Sequence, residues 1–230
     1  MDSNQGSQTH WIPLADLMTG LMMVFMLLTA AFMLRVEQTT TLVIKEFEET
    51  KREMTRALQQ EFKSDLKQWN ADVLGDMTIR FNDPTVLFTT GSSQLRPEFR
   101  YVLADFFPRY LAVLGSEKFR GSIRELRIEG HTSAFWTAGS DARTAYFRNM
   151  ELSQARTRST LEYLFTLPSV QKESKWLIEH LTANGLSSSR PVNSEIDINA
   201  TANQRVEFRI VTNAEERMEK IAENMKESSP

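Results

Sequence analysis

The 230-residue chain contains no cysteine, which excludes a disulfide scaffold, a thiolate metal site and a cysteine nucleophile together. Histidine is nearly as scarce. His10, His131 and His180 fall at no metal-ligand spacing, and no Ser/His/Asp set can be assembled around them. No metal, cofactor or catalytic residue is expected, and nothing in the chain reads as an enzyme. Glycine-rich phosphate loops, internal repeats and low-complexity tracts are missing as well. A formal net charge of −3 leaves no basic surplus, so direct nucleic-acid binding is not expected.

A local lack of charge carries more information. Leu17 to Leu34 holds no charged residue, 15 of its 18 positions are apolar, and six of the eleven methionines fall in the first 33 residues. A helix from Trp11 to Leu34 would be roughly 36 Å long at 1.5 Å per residue, against a hydrocarbon core of about 30 Å. No Lys or Arg precedes the run, it exceeds a signal-peptide core, and no small-x-small cleavage site follows. A spanning helix is therefore expected rather than a leader. Apolarity around the whole circumference argues against a buried soluble helix.

One acid, Asp16, lies near the start of this run. A carboxylate at mid-membrane costs roughly 2.5–3.5 kcal/mol and usually faces a partner or a water path. At headgroup level the same residue would simply complement the helix dipole. Both readings stand on position alone. Gly20, one turn on, would let another helix approach closely, and Pro13 and Trp11 suit a helix start at an interface. Thr19 and Thr29 are candidates to support an ion path, although threonines in spans usually bond their own backbone. Charge alone would put the N-terminus outside, because Arg35 follows the span directly.

The rest of the chain is charge-rich. Residues 36–74 lack glycine and proline and carry Phe47, Met54, Leu58, Phe62, Leu66, Trp69 and Val73, late members of which share a helix face. A linker helix is expected there, its stripe packing on the following domain or, as favoured, pairing with a second copy. From Gly75 the texture changes. Met77–Phe81, Thr85–Phe88, Ile123–Gly130 and Arg205–Val211 read as strands. Arg96–Leu114, Leu152–Phe165 and Glu173–Ala183 read as helices, the last stopping at Asn184-Gly185. The pattern predicts an α/β (α+β two-layer) domain with helices covering one sheet. The divisions are thus a short tail over 1–10, a transmembrane helix over 11–35, a linker helix over 36–74, the domain over 75–213 and a charged tail over 214–230.

Four segments carry a resemblance. Phe88-Thr89-Thr90-Gly91-Ser92-Ser93-Gln94-Leu95, Ile128-Glu129-Gly130-His131-Thr132, Asn149-Met150-Glu151-Leu152-Ser153-Gln154-Ala155-Arg156 and Asn203-Gln204-Arg205-Val206-Glu207-Phe208 resemble, in order, the OmpA-like peptidoglycan-binding domain. The resemblance implies that Arg156 pairs with a carboxylate of the cell-wall peptide stem, with Asn149, Leu152, Thr132 and Ser133 around it. A helix N-terminus and a guanidinium are suited to that task. Two departures weaken or retune the implied contact. Ser133 stands where the family usually has an Asp, and the stretch from Thr132 to Asn149 is longer than usual. Asp141 in that stretch is a candidate replacement for the missing acid, and the neighbouring aromatic residues are candidates for sugar-facing surface. His131, a lone histidine at a strand end, reads as a structural hydrogen-bonder.

Trp11 to Met23 is similar to the ion-carrying helix of MotB-type stator subunits, and the short N-terminus, lengthened loop and Met-rich span look most like the ZorB-type subunits of Zorya anti-phage systems. That likeness implies a single-pass protein of the bacterial inner membrane, with a cytoplasmic N-terminus and a periplasmic C-terminal domain, against the charge reading above. It implies a homodimer inside a pentamer of a MotA-like (ZorA-like) membrane protein. It further implies an Asp16 that carries a transported proton, or sodium, and a domain held on peptidoglycan. A flagellar stator subunit and a passive membrane-tethered wall anchor are the alternatives, and a TolR/ExbD-type energiser would lack the OmpA-like segments.

Overall fold

The structure, a computed structural model, describes residues 11–192 and 203–214. His10 and the two tails expected at the ends of the chain lie outside them, except Ala214. The chain divides into two compact units, Met1–Phe47 and Glu48–Pro230.

Helix α1 runs from Trp11 to Phe62. Pro13 sits in its first turn, where its missing N–H has no partner to lose. Within the first unit, Pro13–Gln38 is long and apolar enough to cross a membrane, and none of its most apolar window is buried in the chain. From Glu48 the same helix enters the second unit. There Met54, Leu58 and Phe62, at spacings of four, are wholly buried with Trp69 and Ala71 behind them. The stripe favoured above for pairing with a second copy is thus part of this domain's own core. The domain boundary expected at Gly75 lies instead at Glu48. Periodicity reports which helix face is covered and is silent on what covers it.

The second unit is a five-stranded sheet in the order β1-β2-β5-β3-β4, built from β1 (Ala71–Val73), β2 (Thr78–Phe81), β3 (Ile123–His131), β4 (Leu181–Gly185) and β5 (Arg205–Thr212). All pairings are antiparallel except β3 with β4. Between the strands lie α2 (Pro84–Leu87), α3 (Pro97–Leu114), α4 (Glu117–Arg120), α5 (Ala142–Thr166), α6 (Pro168–Gln171) and α7 (Ser174–His180). Ile79, Phe81, Leu126, Ile128, Val206, Phe208 and Ile210 alternate onto the sheet's core face, as period-two patterning requires. Phe106 of α3 is the hub of that core, with ring centroids 5.0–5.2 Å from Phe208, Tyr110, Phe62 and Phe81. Arg109, one turn on, fastens α3 to the end of α1. It donates to Glu61 Oε1 at 2.8 Å and Asp65 Oδ2 at 2.9 Å, and its guanidinium lies 5.0 Å over the Phe62 ring.

Three expected elements differ. Thr85–Phe88 is not a strand. Pro84–Leu87 forms one helical turn, and Phe88 makes an isolated antiparallel bridge to Leu95. The helix expected from Leu152 starts at Ala142, so much of the long stretch after Thr132 is helical. The helix expected to reach Ala183 ends at His180, and Leu181–Gly185 pairs in parallel with Leu126–Gly130.

Candidate functional site

Helix α5 organises the site. Asp141 caps its N-terminus: Oδ1 accepts from the backbone N–H groups of Arg143 and Thr144, and Oδ2 accepts from the Thr144 hydroxyl at 2.7 Å. Both oxygens of this carboxylate, the candidate replacement acid, are therefore engaged at the cap. Behind the cap, Ala145, Asn149, Ser153, Arg156, Thr160 and Leu164 form the buried face.

Small residues let that face approach the sheet. A Cβ on Gly130 would stand 2.7 Å from Thr157 Cγ2, and one on Gly185 would stand 2.3 Å from the Gln154 backbone nitrogen. Only glycine fits at these ends of β3 and β4. The Gly185 N–H donates to Gln154 Oε1 at 2.9 Å, and the Ser187 N–H donates to Ser153 Oγ at 3.1 Å. Ser187 is held at φ +51, and its carbonyl in turn accepts from the Thr132 N–H at 3.0 Å. The ends of both strands are thereby tied to the first half of α5.

This arrangement brings Thr132 and Ser133 beside Asn149. Asn149 Nδ2 donates to the Phe135 carbonyl at 3.0 Å, and the Ser133 hydroxyl donates to the same oxygen at 3.3 Å. Thr132 is buried, and its hydroxyl oxygen has no hydrogen-bond partner among the described residues. Leu152 lies off this face and is half-buried.

Arg156 sits two turns beyond Asn149, about 10 Å along the axis. It is 8% exposed; its Nε donates to the Ser92 carbonyl at 3.0 Å and its guanidinium lies 4.9 Å over the Phe88 ring. No carboxylate among the described residues reaches it, and burial pushes its pKa down to about 10, which leaves it a cation at neutral pH. Its terminal nitrogens take no acceptor from the described residues. A buried guanidinium without a counter-charge among the described residues is chemically suited to receive an anion. Phe88 and Ser92, which hold Arg156 in place, were not singled out from sequence; their place in the Phe88–Leu95 segment was the signal.

The opposite face of the sheet carries a different cluster. Glu129, His131, Arg205 and Glu207 are all buried there. Glu207 Oε1 accepts from Arg205 Nε at 2.7 Å and from Arg80 Nε at 2.8 Å, and its Oε2 lies 3.5 Å from His131 Nε2. Burial alone would raise the Glu207 pKa, but His131 and Arg205 hold it well below the usual carboxylate range. Burial lowers that of His131, with Glu207 opposing. Three ligand atoms of Glu129, His131 and Glu207 lie within 4.8 Å of one another. Arg190 and Arg209 nevertheless approach Glu129 Oε2 at 3.6 and 3.7 Å, so arginines already occupy the positions a cation would take.

In the first unit, Asp16 is exposed on α1. Thr19 donates its hydroxyl to the Ala15 carbonyl at 2.7 Å and Thr29 donates to that of Phe25 at 2.8 Å, so both bond their own helix.

No family model matches the chain. The chain is 41% identical over 222 residues to the Zorya protein ZorB of Escherichia coli (strain Crooks), covering 92% of each sequence. Among solved structures, a MotB-like protein from Desulfovibrio vulgaris superposes with a TM-score of 0.52 at 23% identity, over 73% of this chain and 98% of that one. The cell wall anchor of the T6SS from Pseudomonas aeruginosa gives 0.46 at 21%, over 67% and 96%. The likeness to the Desulfovibrio vulgaris protein bears on the fold alone.

Proposed function

We propose, from the premise that this chain belongs to the Zorya ZorB family, that it is the wall-anchored B subunit of an ion-driven rotary motor in the bacterial inner membrane, acting in anti-phage defence. The observation that carries this reading is the pairing, in one chain, of two charges without ion-pair partners among the described residues. Asp16 is the one charge between Trp11 and Leu34 of a membrane-length helix, and Arg156 is a buried cation with no acid beside it among the described residues.

Each charge has a distinct task. Arg156 binds a carboxylate of the peptidoglycan stem, with Phe88 and Ser92 fixing the guanidinium, and so holds the periplasmic domain still. Asp16 of each of two copies takes up and releases a proton inside a pentamer of a MotA-like partner. Neutralising the carboxylate removes most of its desolvation cost, so occupancy changes which ring contacts are favourable. Roughly 2.3 kcal/mol is available per charge per 100 mV to bias each step. The N-terminus is then cytoplasmic.

The test is a plaque assay on cells carrying the complete system, with Asp16→Asn and Arg156→Ala compared at equal membrane abundance. Both are expected to abolish protection. Full protection by Asp16→Asn would refute ion handling, and together with loss in Arg156→Ala it would leave a passive wall anchor.

A further inference from the structure

The surroundings of Arg156 also constrain which wall peptide it takes. On α5, Asp141 is engaged at the cap, Glu151 turns outward to Arg148 at 3.5 Å, and Glu162 pairs with Arg158 at 2.9 Å. On β3, Glu125 and Glu129 point to the opposite sheet face, the first held by Arg127 and the second approached by Arg209. The loop that supplies Ser92, Thr89–Leu95, contains no acid, and neither does Thr132–Ser140, the loop tied to Asn149. Among the described residues the site is therefore a buried cation held by a carbonyl and an aromatic ring, with the hydroxyls of Thr132 and Ser133 and the amide of Asn149 two turns back along α5.

We propose that this site selects a wall-peptide carboxylate whose neighbouring amine is acylated, as in a cross-linked stem, over the same peptide with that amine free. The inference rests on the wall-binding reading above. A carboxylate alone neutralises Arg156. A free ammonium on the same ligand restores a net positive charge to the occupied site, and it sheds its water without meeting a carboxylate among the described residues. Acylation removes that charge and leaves an amide, which Asn149, Thr132 and Ser133 are chemically suited to meet. Binding then reports finished, cross-linked wall rather than newly inserted strands.

Isothermal titration of the detergent-solubilised full chain at pH 7.5 tests this. The probes are a diaminopimelate-containing stem tetrapeptide with its side-chain amine free, and the same tetrapeptide N-acetylated there. The acetylated peptide is expected to bind at least roughly tenfold tighter, because an unmatched like charge weakens binding at an interface. Ser133→Asp, which supplies an acid at the loop, is expected to raise affinity for the free-amine peptide and erase the difference. Equal affinities in the unsubstituted chain, or a preference for the free amine, would overturn the inference while leaving wall binding intact. Binding of neither peptide, with no retention on sacculi, would overturn the wall-binding reading and the inference with it.

Discussion

Cutting the domain at the boundary its sequence suggests should prevent it from folding. A fragment starting at Gly75 lacks Met54, Leu58 and Phe62, each 0% exposed in the intact chain, together with Trp69 at 9% and strand β1. Burying a large apolar side chain contributes about 1.5–3 kcal/mol, so the four side chains together supply roughly 6–12 kcal/mol. Whole domains of this size are stable by about 5–15 kcal/mol. The loss also strips Glu61 and Asp65 from Arg109 and exposes faces of Phe81 and Phe106 that Trp69 and Phe62 cover. Fragments 48–213 and 75–213 can be compared by far-UV circular dichroism and urea titration. The longer fragment should unfold in one cooperative transition, while the shorter one should show none. A cooperative transition of 75–213 at a urea midpoint close to that of 48–213 would refute the assignment of residues 48–74 to the core.

Acid should weaken the domain in two stages. The folded pKa values of His131 and Glu207 both lie below their ordinary values of 6.5 and 4.5, so the unfolded chain binds these protons first. The His131 contribution is complete above about pH 6.5 and is lost as pH falls below it, and the Glu207 contribution follows below about 4.5. The urea midpoint should decline from pH 7 to 5, with His131→Gln flattening that interval; a flat profile in the unsubstituted chain would contradict the burial of this pair. Gly185→Ala should cost about 1–3 kcal/mol by forcing α5 off β4, and it should weaken sacculus retention as well, because Arg156 moves with the helix. Loss of stability with unchanged retention would place the ligand contacts away from α5. Asp141→Ala should lower the melting temperature and leave ligand preference unchanged, whereas an altered preference would return Asp141 to the site.

Much of the fold is legible where one face of an element is dry. β2, β5 and β3 from Leu126 onward alternate because their other face is charged, and α3 is bracketed by Pro97 and Gly115. Leu181–Gly185 fails that test. It continues the apolar spacing of Trp176 and Leu177, and only its first and last residues are buried, so no alternation marks it. Its strand state comes from parallel pairing with Leu126–Gly130, which has no local signature. Thr85-Val86 errs the other way, β-branched residues suggesting a strand where Pro84 starts a helical turn.

The charged ladder was hidden for a further reason. The register sets Glu129 opposite Glu207 and Arg127 opposite Arg209, pairs that would be read as repulsive. The contacts that satisfy them run diagonally, from Arg209 to Glu129, or along the strand and across to β2, from Arg205 and Arg80 to Glu207. Sequence alternation identifies a charged face but not this geometry.

Arg156 and Asp16 differ from that ladder in a way that separates structural from functional charge. Each carboxylate and guanidinium of the ladder has a partner within the chain, so its burial is offset internally. Among the described residues Arg156 has a carbonyl and a ring in place of a counter-ion, and Asp16 is followed by an uncharged run from Leu17 to Leu34. Substituting either by a neutral residue of similar shape should not destabilise the chain and can stabilise it, because desolvation is relieved and no ion pair is broken. Arg156→Gln therefore provides the sharper test. A structural arginine would lower the urea midpoint of fragment 48–213 on removal, whereas a ligand-binding one leaves the midpoint level or raised while sacculus retention is lost. A large fall in the midpoint would mean that Arg156 serves the fold, and the wall-binding reading would lose the residue on which it stands.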